Sequence, residues 1–276
     1  MKLSIAFSPF KNLSQYAPFP FHGDPEECIK KLSENDIPGV EISITTPKDI
    51  DVEKFEKLLE KYNVEISAIA TGSNFTKDGF CMVSPYKHIR KEVVKRLKEN
   101  IDYASKHETG VIIGGARGST AASEGANEIE ILSRVNECIE ELLEYASEKE
   151  VILYLEAINR YEIACGKSLY DTARMVRSYN NPYIKMLADT YHMNIEEKKS
   201  FFNSIYDNGD VMGYLHLCDN NRMAAGLGLL NFESVFNGLK AIKYDGYICA
   251  EVLPLPNPET VIKKTKEVYY SHVVSD

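Results

Sequence analysis

Four side chains in the second half of the chain, Glu156, Asp189, His216 and Glu251, stand at or next to the end of short apolar runs at residues 151–155, 184–188, 211–217 and 246–252. In each case a buried strand opens into a loop there, so the polar group is carried to the edge of a core. Three carboxylates and an imidazole brought to one edge are tolerable only if a cation offsets their charge. Three oxygen donors and one nitrogen, with no thiolate, suit Mn²⁺, Co²⁺ or Mg²⁺ better than a structural zinc. Read singly, each residue is equally well a cap or a hydrogen-bonded polar group. Asp189, ahead of the turn Thr190-Tyr191-His192, reads alone as a helix cap with His192 an ordinary surface histidine. The set of four is what points to a metal. Arg222, in the loop after His216, is placed to balance the excess negative charge or else to be a solvated loop cation.

Elements able to bring these residues together recur along the whole chain. Strand patterns at residues 3–7, 39–44, 65–71, 111–113, 151–155, 184–188, 211–217 and 246–252 alternate with helical patterns. The helices are expected to begin at Pro25 and to cover 52–62, the span with Ile89, Val93, Val94, Leu97, Ile101 and Ala104, the span from Ile131 to Ala146, then 168–179, 198–206, 232–242 and 258–272. Strands that are mostly continuous apolar runs are covered on both faces, as in parallel sheets. Eight strand and helix pairs in a chain of 276 residues, close to the ~250 typical of the fold, predict a closed (β/α)₈ TIM barrel of the α/β class, with residues 1–276 as a single domain. An open doubly wound sheet is the competitor, but no Gly-x-Gly-x-x-Gly follows the first strand and no nucleotide cofactor is expected. In such a barrel, reactive residues sit at the carboxyl ends of the strands, where the four candidates fall.

Bulk properties narrow the function classes. The net charge is −9 and no basic stripe is present to neutralise a phosphate backbone, so nucleic acid is not an expected partner. Cys28, Cys81, Cys138, Cys165, Cys218 and Cys249 are dispersed and read as small buried hydrophobes in a reducing compartment. The opening apolar run is too short for a signal peptide, and no stretch approaches the ~18 consecutive apolar residues of a membrane span. The expectation is a soluble cytoplasmic protein with no membrane partner.

The segments Glu156-Ala157-Ile158-Asn159-Arg160-Tyr161-Glu162, Asp189 to Glu197, His216 to Arg222 and Gly246 to Glu251 resemble the D-tagatose/D-psicose 3-epimerase family, within the xylose isomerase-like TIM barrels. The resemblance implies that Glu156, Asp189, His216 and Glu251 bind Mn²⁺ or Co²⁺, with Mg²⁺ or Zn²⁺ as alternatives, and that Glu162, His192 and Arg222 hold the substrate. After Arg222 the family shows Pro-Gly-x-Gly and then Trp, whereas this chain has Ala225-Gly226-Leu227-Gly228 and then Phe232. In the first half, Ala70-Thr71-Gly72, Asp78-Gly79 and Gly115-Ala116-Arg117-Gly118 resemble the branch that includes 5-keto-L-gluconate epimerase. Arg117 closes the fourth strand, where a planar guanidinium could take a substrate carboxylate, or else pair with a neighbouring loop acid.

The implied reaction is inversion of the carbon adjacent to a ketone through an enediolate, with Glu156 and Glu251 as the acid/base pair and a sugar or keto acid as substrate. An aldose-ketose isomerase or a sugar dehydratase would use the same residues. The loops at 8–24 and 72–86 are plausible lids, and a homo-oligomer is expected, with the loop aromatics as alternative subunit contacts.

Overall fold

The computed structural model describes residues 1–273; the last three residues of the expected domain, 274–276, lie outside the described residues. Eight parallel strands, β1 (Lys2–Ser8), β2 (Gly39–Ser43), β3 (Glu65–Ala70), β4 (Val111–Ile113), β5 (Leu153–Glu156), β6 (Ile184–Asp189), β7 (Met212–His216) and β8 (Tyr247–Ala250), pair in chain order. Pairing of β1 with β8, from Lys2 opposite Tyr247 to Ile5 opposite Ala250, closes the sheet and removes the open-sheet alternative. The barrel helices are α1 (Pro25–Glu34), α2 (Val52–Tyr62), α3 (Lys87–Lys106), α4 (Glu128–Glu148), α5 (Leu169–Tyr179), α6 (Phe201–Tyr206), α7 (Phe232–Ala241) and α8 (Pro258–Val273).

Local chemistry sets several helix boundaries. Asp24 accepts from the N–H of Glu26 ahead of Pro25, and Asp51 accepts from that of Lys54. Asn127 and Glu130 cap α4 reciprocally. Asn63 and Asn180 close α2 and α5 in the left-handed region. The sixth helix falls within the expected 198–206 span and starts at Phe201 because Ser200 caps it, accepting from Asn203 N–H. Smaller elements include Phe21–His22, which pairs with Phe7–Ser8 of β1, and a seven-residue helix, Thr190–Glu196, which follows β6 directly where Asp189 reads as a cap.

The alternation of side chains along the strands sorts them into two environments. Ile5, Phe7, Val40, Ile42, Leu153, Leu155, Met186, Ala188 and Leu215 face the helices in the main apolar core. The opposite face forms a much smaller apolar cluster of Ala6, Ala68, Ala70, Ile112, Leu187, Tyr214 and Cys249 inside the barrel. Period-two geometry then requires that Glu156, Asp189 and His216, two residues beyond Tyr154, Leu187 and Tyr214, point to the interior as well. The Tyr214 hydroxyl lies 2.9 Å from that of Ser67 and 3.3 Å from that of Ser4, a polar tie across the lumen below His216. All six cysteines are free and buried. Among the described residues no helix is long and apolar enough to cross a membrane.

Candidate metal and substrate site

At the carboxyl end of the barrel, one ligand atom from each of Glu156, Asp189, His216 and Glu251 lies within 4.8 Å of all the others. Nδ1 of His216 is at the centre, 3.4 Å from Glu156 Oε1, 3.6 Å from Asp189 Oδ2 and 3.6 Å from Glu251 Oε2. Strand register accounts for this: Asp189 pairs with His216, and His216 with Cys249, two residues before Glu251. Glu251 itself falls just past β8, one residue beyond its last paired position.

Asp189 satisfies both readings of its position. Its Oδ1 caps the Thr190–Glu196 helix, accepting from Tyr191 N–H at 2.7 Å and His192 N–H at 3.2 Å. Its Oδ2 faces the cluster and, among the described residues, has no hydrogen-bond partner; nor has the buried Nδ1 of His216. Two orphaned buried atoms on facing side chains are costly unless something satisfies both. A divalent cation fits that requirement and the donor set of three carboxylates and one imidazole.

The electrostatics lead to the same place. Burial works against a charged His216, but Glu41 and Glu251 outweigh it and hold the imidazole well above its ordinary pKa. Burial raises the Glu251 carboxyl to about 8, against the pull of His216 and Arg222. Burial also opposes ionisation of Asp189, yet His192, His216 and Arg222 together keep its pKa below the ordinary value. A proton and a divalent cation therefore compete for the same negative pocket.

Sequence reasoning overlooked Glu41. It is fully buried in β2 and its Oε2 lies 2.9 Å from Nε2 of His216. Donation from Nε2 to this carboxylate directs the other ring nitrogen at the cluster, as supporting carboxylates do behind metal-binding histidines. The available signal was a charged residue in the middle of an otherwise apolar strand.

Three residues expected to contact substrate, Glu162, His192 and Arg222, line the same cavity. Arg222 Nη2 donates to Glu251 Oε2 at 2.8 Å, its Nη1 is 3.8 Å from Glu162 Oε1, and its guanidinium lies 4.7 Å from the centroid of the Tyr191 ring. The loop carrying Arg222 is wound on Asp219. That buried carboxylate accepts from the N–H groups of Asn220, Gly226, Gly228 and Leu230 at 2.9–3.0 Å. The departure from the family pattern in this loop thus leaves intact the glycines the carboxylate needs.

Arg117 is a correction. It sits after β4, but its side chain is fully buried and absent from the cavity wall. It donates to the backbone carbonyls of Gly114, Cys165 and Glu156. Two of those carbonyls lie in loops and the third at the last residue of β5, and the guanidinium fork joins all three at once. Its donors are directed into the protein, so it does not take a substrate carboxylate.

The cavity measures about 1030 Å³. The end at the carboxylate cluster is bounded by Glu156, His192, His216, Arg222 and Glu251, and another part of the wall by Ser43, Thr71, Gly72, Gly114 and Gly115. The loops expected to act as lids supply Phe10, Tyr16 and Phe19 on one side and Thr76 and Lys77 on the other. They meet where Lys77 Nζ lies 4.0 Å from the Phe10 ring centroid.

Comparison with known proteins agrees with this architecture. A family model described as the xylose isomerase-like TIM barrel matches residues 29–272. The chain is similar to the 3-dehydro-D-guloside 4-epimerase of Escherichia coli, 33% identical over 117 residues, or 42% of this chain and 44% of that protein. It is 29% identical over 220 residues to an L-ribulose 3-epimerase of a Methylomonas species, covering 77% of this chain and 72% of the relative. The first of these matches therefore spans less than half of the relative's length. In three dimensions the chain superposes on a D-allulose 3-epimerase from Methylomonas with a TM-score of 0.82 at 21% identity, covering 99% of this chain and 98% of that one. That likeness establishes the fold.

Proposed function

Because the chain belongs to the xylose isomerase-like TIM barrel family, we propose that it is a divalent-metal-dependent epimerase that inverts the carbon next to the ketone of a ketose or related keto-sugar. The observation that carries this reading is the convergence of Glu156, Asp189, His216 and Glu251 within 4.8 Å, with two buried atoms among them lacking partners among the described residues. The activities named for the relatives support it, since 3-epimerisation of a 2-ketose and 4-epimerisation of a 3-dehydro-sugar both invert a carbon adjacent to a carbonyl. A Mn²⁺ or Co²⁺ ion held by the four residues would supply Lewis-acid polarisation of the ketone.

The rest falls to the protein's own groups. One of Glu156 and Glu251 takes the proton from the carbon next to the ketone, and the other returns a proton to the opposite face. Running the reaction backwards exchanges their roles. No oxidant or reductant is consumed. Arg222, fixed by Glu251 and the ring of Tyr191, holds Glu251 in place and offers positive charge to a substrate oxygen. His192 and Glu162 bond neighbouring oxygens. The aromatic loop containing Phe10, Tyr16 and Phe19 limits water above the reacting carbon.

The test is incubation of the Mn²⁺-loaded protein with 2-ketoses and 3-keto-glycosides in D₂O. Epimer interconversion with deuterium appearing at the inverted carbon is expected. Absence of exchange from every candidate, in protein shown to bind Mn²⁺, overturns the proposal; an aldose product would replace it with isomerisation.

A further inference from the structure

The site contains two histidines, and the protein presents them to the cluster in opposite ways. His216 turns Nδ1 toward the carboxylates and anchors Nε2 on Glu41. His192 does the reverse: Nε2 faces inward, 3.9 Å from Glu156 Oε1 and 3.8 Å from Asp189 Oδ2, while Nδ1 is anchored on Asn159 at 2.8 Å. What each ring can do depends on which nitrogen carries the proton, and its anchor decides that.

Asn159, three residues beyond the end of β5, is buried, with 1% exposure. Its amide has three polar neighbours. Nδ2 contacts His192 Nδ1 at 2.8 Å and Glu162 Oε1 at 2.7 Å, and Oδ1 accepts from the N–H of Tyr161 at 2.9 Å. Exchanging the amide's oxygen and nitrogen would set an acceptor against the Glu162 carboxylate and a donor against the Tyr161 N–H, two repulsive contacts on an amide that is itself buried. The orientation is therefore determined by groups other than the histidine. With –NH₂ facing it, Nδ1 of His192 can only accept, and the ring proton must sit on Nε2.

We propose that Asn159 is a positioning residue that fixes His192 as the Nε2–H tautomer, making it a hydrogen-bond donor to substrate oxygen and barring it from becoming a fifth metal ligand, while its second amide hydrogen orients Glu162. The same amide hydrogen-bonds both side chains, so His192 and Glu162 are set as a pair. The scaffold around them is tied independently. Glu196, at the end of the helix that bears His192, accepts from Arg160 N–H at 2.6 Å and from its guanidinium at 2.8 and 3.0 Å. Asn159 is thus left to govern the proton rather than hold the two segments together. The catalytic part of the proposal rests on the epimerase reading; the tautomer part does not.

The test is ¹⁵N NMR of histidine-labelled, metal-free protein, with the His192 signals assigned by their loss in His192→Gln. In the wild type, Nε2 is expected to carry the proton, and a proton found on Nδ1 would overturn the proposal without any variant. In Asn159→Asp, the new carboxylate accepts from Nδ1–H, so the tautomer should invert, and turnover should fall on the order of 10²-fold or more with loss of a preorganised donor. An Asp variant that keeps both the Nε2 proton and wild-type turnover also overturns the proposal. Should no substrate be found, the epimerase reading fails while the tautomer result still stands or falls by itself.

Discussion

The barrel mouth is built from two unlike halves. Over β5–β8, each strand end delivers one side chain to the cluster: Glu156, Asp189, His216 and Glu251. Over β1–β4, the cavity wall is Ser43, Thr71, Gly72, Gly114 and Gly115, small residues that leave room, and the half's single carboxylate near the cluster, Glu41, stands behind His216. One half concentrates charge and the other makes space for what the charge acts on. The difference teaches that the polar groups of a barrel mouth need not be shared evenly around it. Parallel strands in register bring four neighbouring ends to one level, and the opposite ends can then be kept small.

If that division is right, the largest losses come from the charged half. Glu156→Gln and Glu251→Gln are each expected to lower turnover by about 10²–10⁴-fold, the usual range for removing a general acid or base, with circular dichroism unchanged. Near wild-type activity in either would remove that residue from proton transfer.

Next comes a substitution where the halves touch. A Cβ on Gly114 would overlap Oε2 of Glu156. Gly114→Ala should therefore displace that carboxylate and cost roughly 10²-fold in turnover, as misplacement by about an ångström does. Removing the anchor behind His216 has a smaller effect: Glu41→Gln is expected to weaken Mn²⁺ binding by about 10–100-fold, measured by calorimetry. Unchanged affinity would reduce Glu41 to a packing residue.

A gentler probe is pH. Metal-free His216 has its pKa held well above the ordinary value and that of Glu251 is raised to about 8, so a binding cation displaces protons from the pocket. Apparent affinity should fall as pH drops below those pKa values, by about tenfold per unit for each proton displaced, and calorimetry in buffers of different ionisation enthalpy should register proton release. The smallest effect belongs to the spacious half. A Cβ on Gly72 would have nothing nearer than Gly115 N at 4.0 Å, so Gly72→Ala should leave the fold and metal affinity unchanged and raise KM alone. A loss of metal affinity there would blur the division between the halves.

Much of this could be read from the chain before folding. The positions of the clustered side chains follow from strand ends because a parallel barrel puts every carboxyl end on one face, and alternation turns Glu156, Asp189 and His216 inward together. Arg117 shows the boundary of that logic. Its place after β4 is as visible as that of Glu156 at the end of β5, but the direction of its side chain depends on which backbone carbonyls come within its reach, and only the assembled loops define those. Glu41 was hidden for the converse reason. A carboxylate inside an apolar strand looks anomalous until the strand closes against β7 across the lumen and finds His216.

The sequence by itself determined the beat of eight strands and helices and which four polar side chains stand at the ends of neighbouring strands, because hydrophobic periodicity and residue type are local properties. The tertiary structure decided the distances within the cluster, the second anchor on each histidine, the inward turn of Arg117 and the winding of the Arg222 loop on Asp219. Each of these depends on side chains far apart in the chain meeting at hydrogen-bond distance, and that is fixed only when the barrel closes.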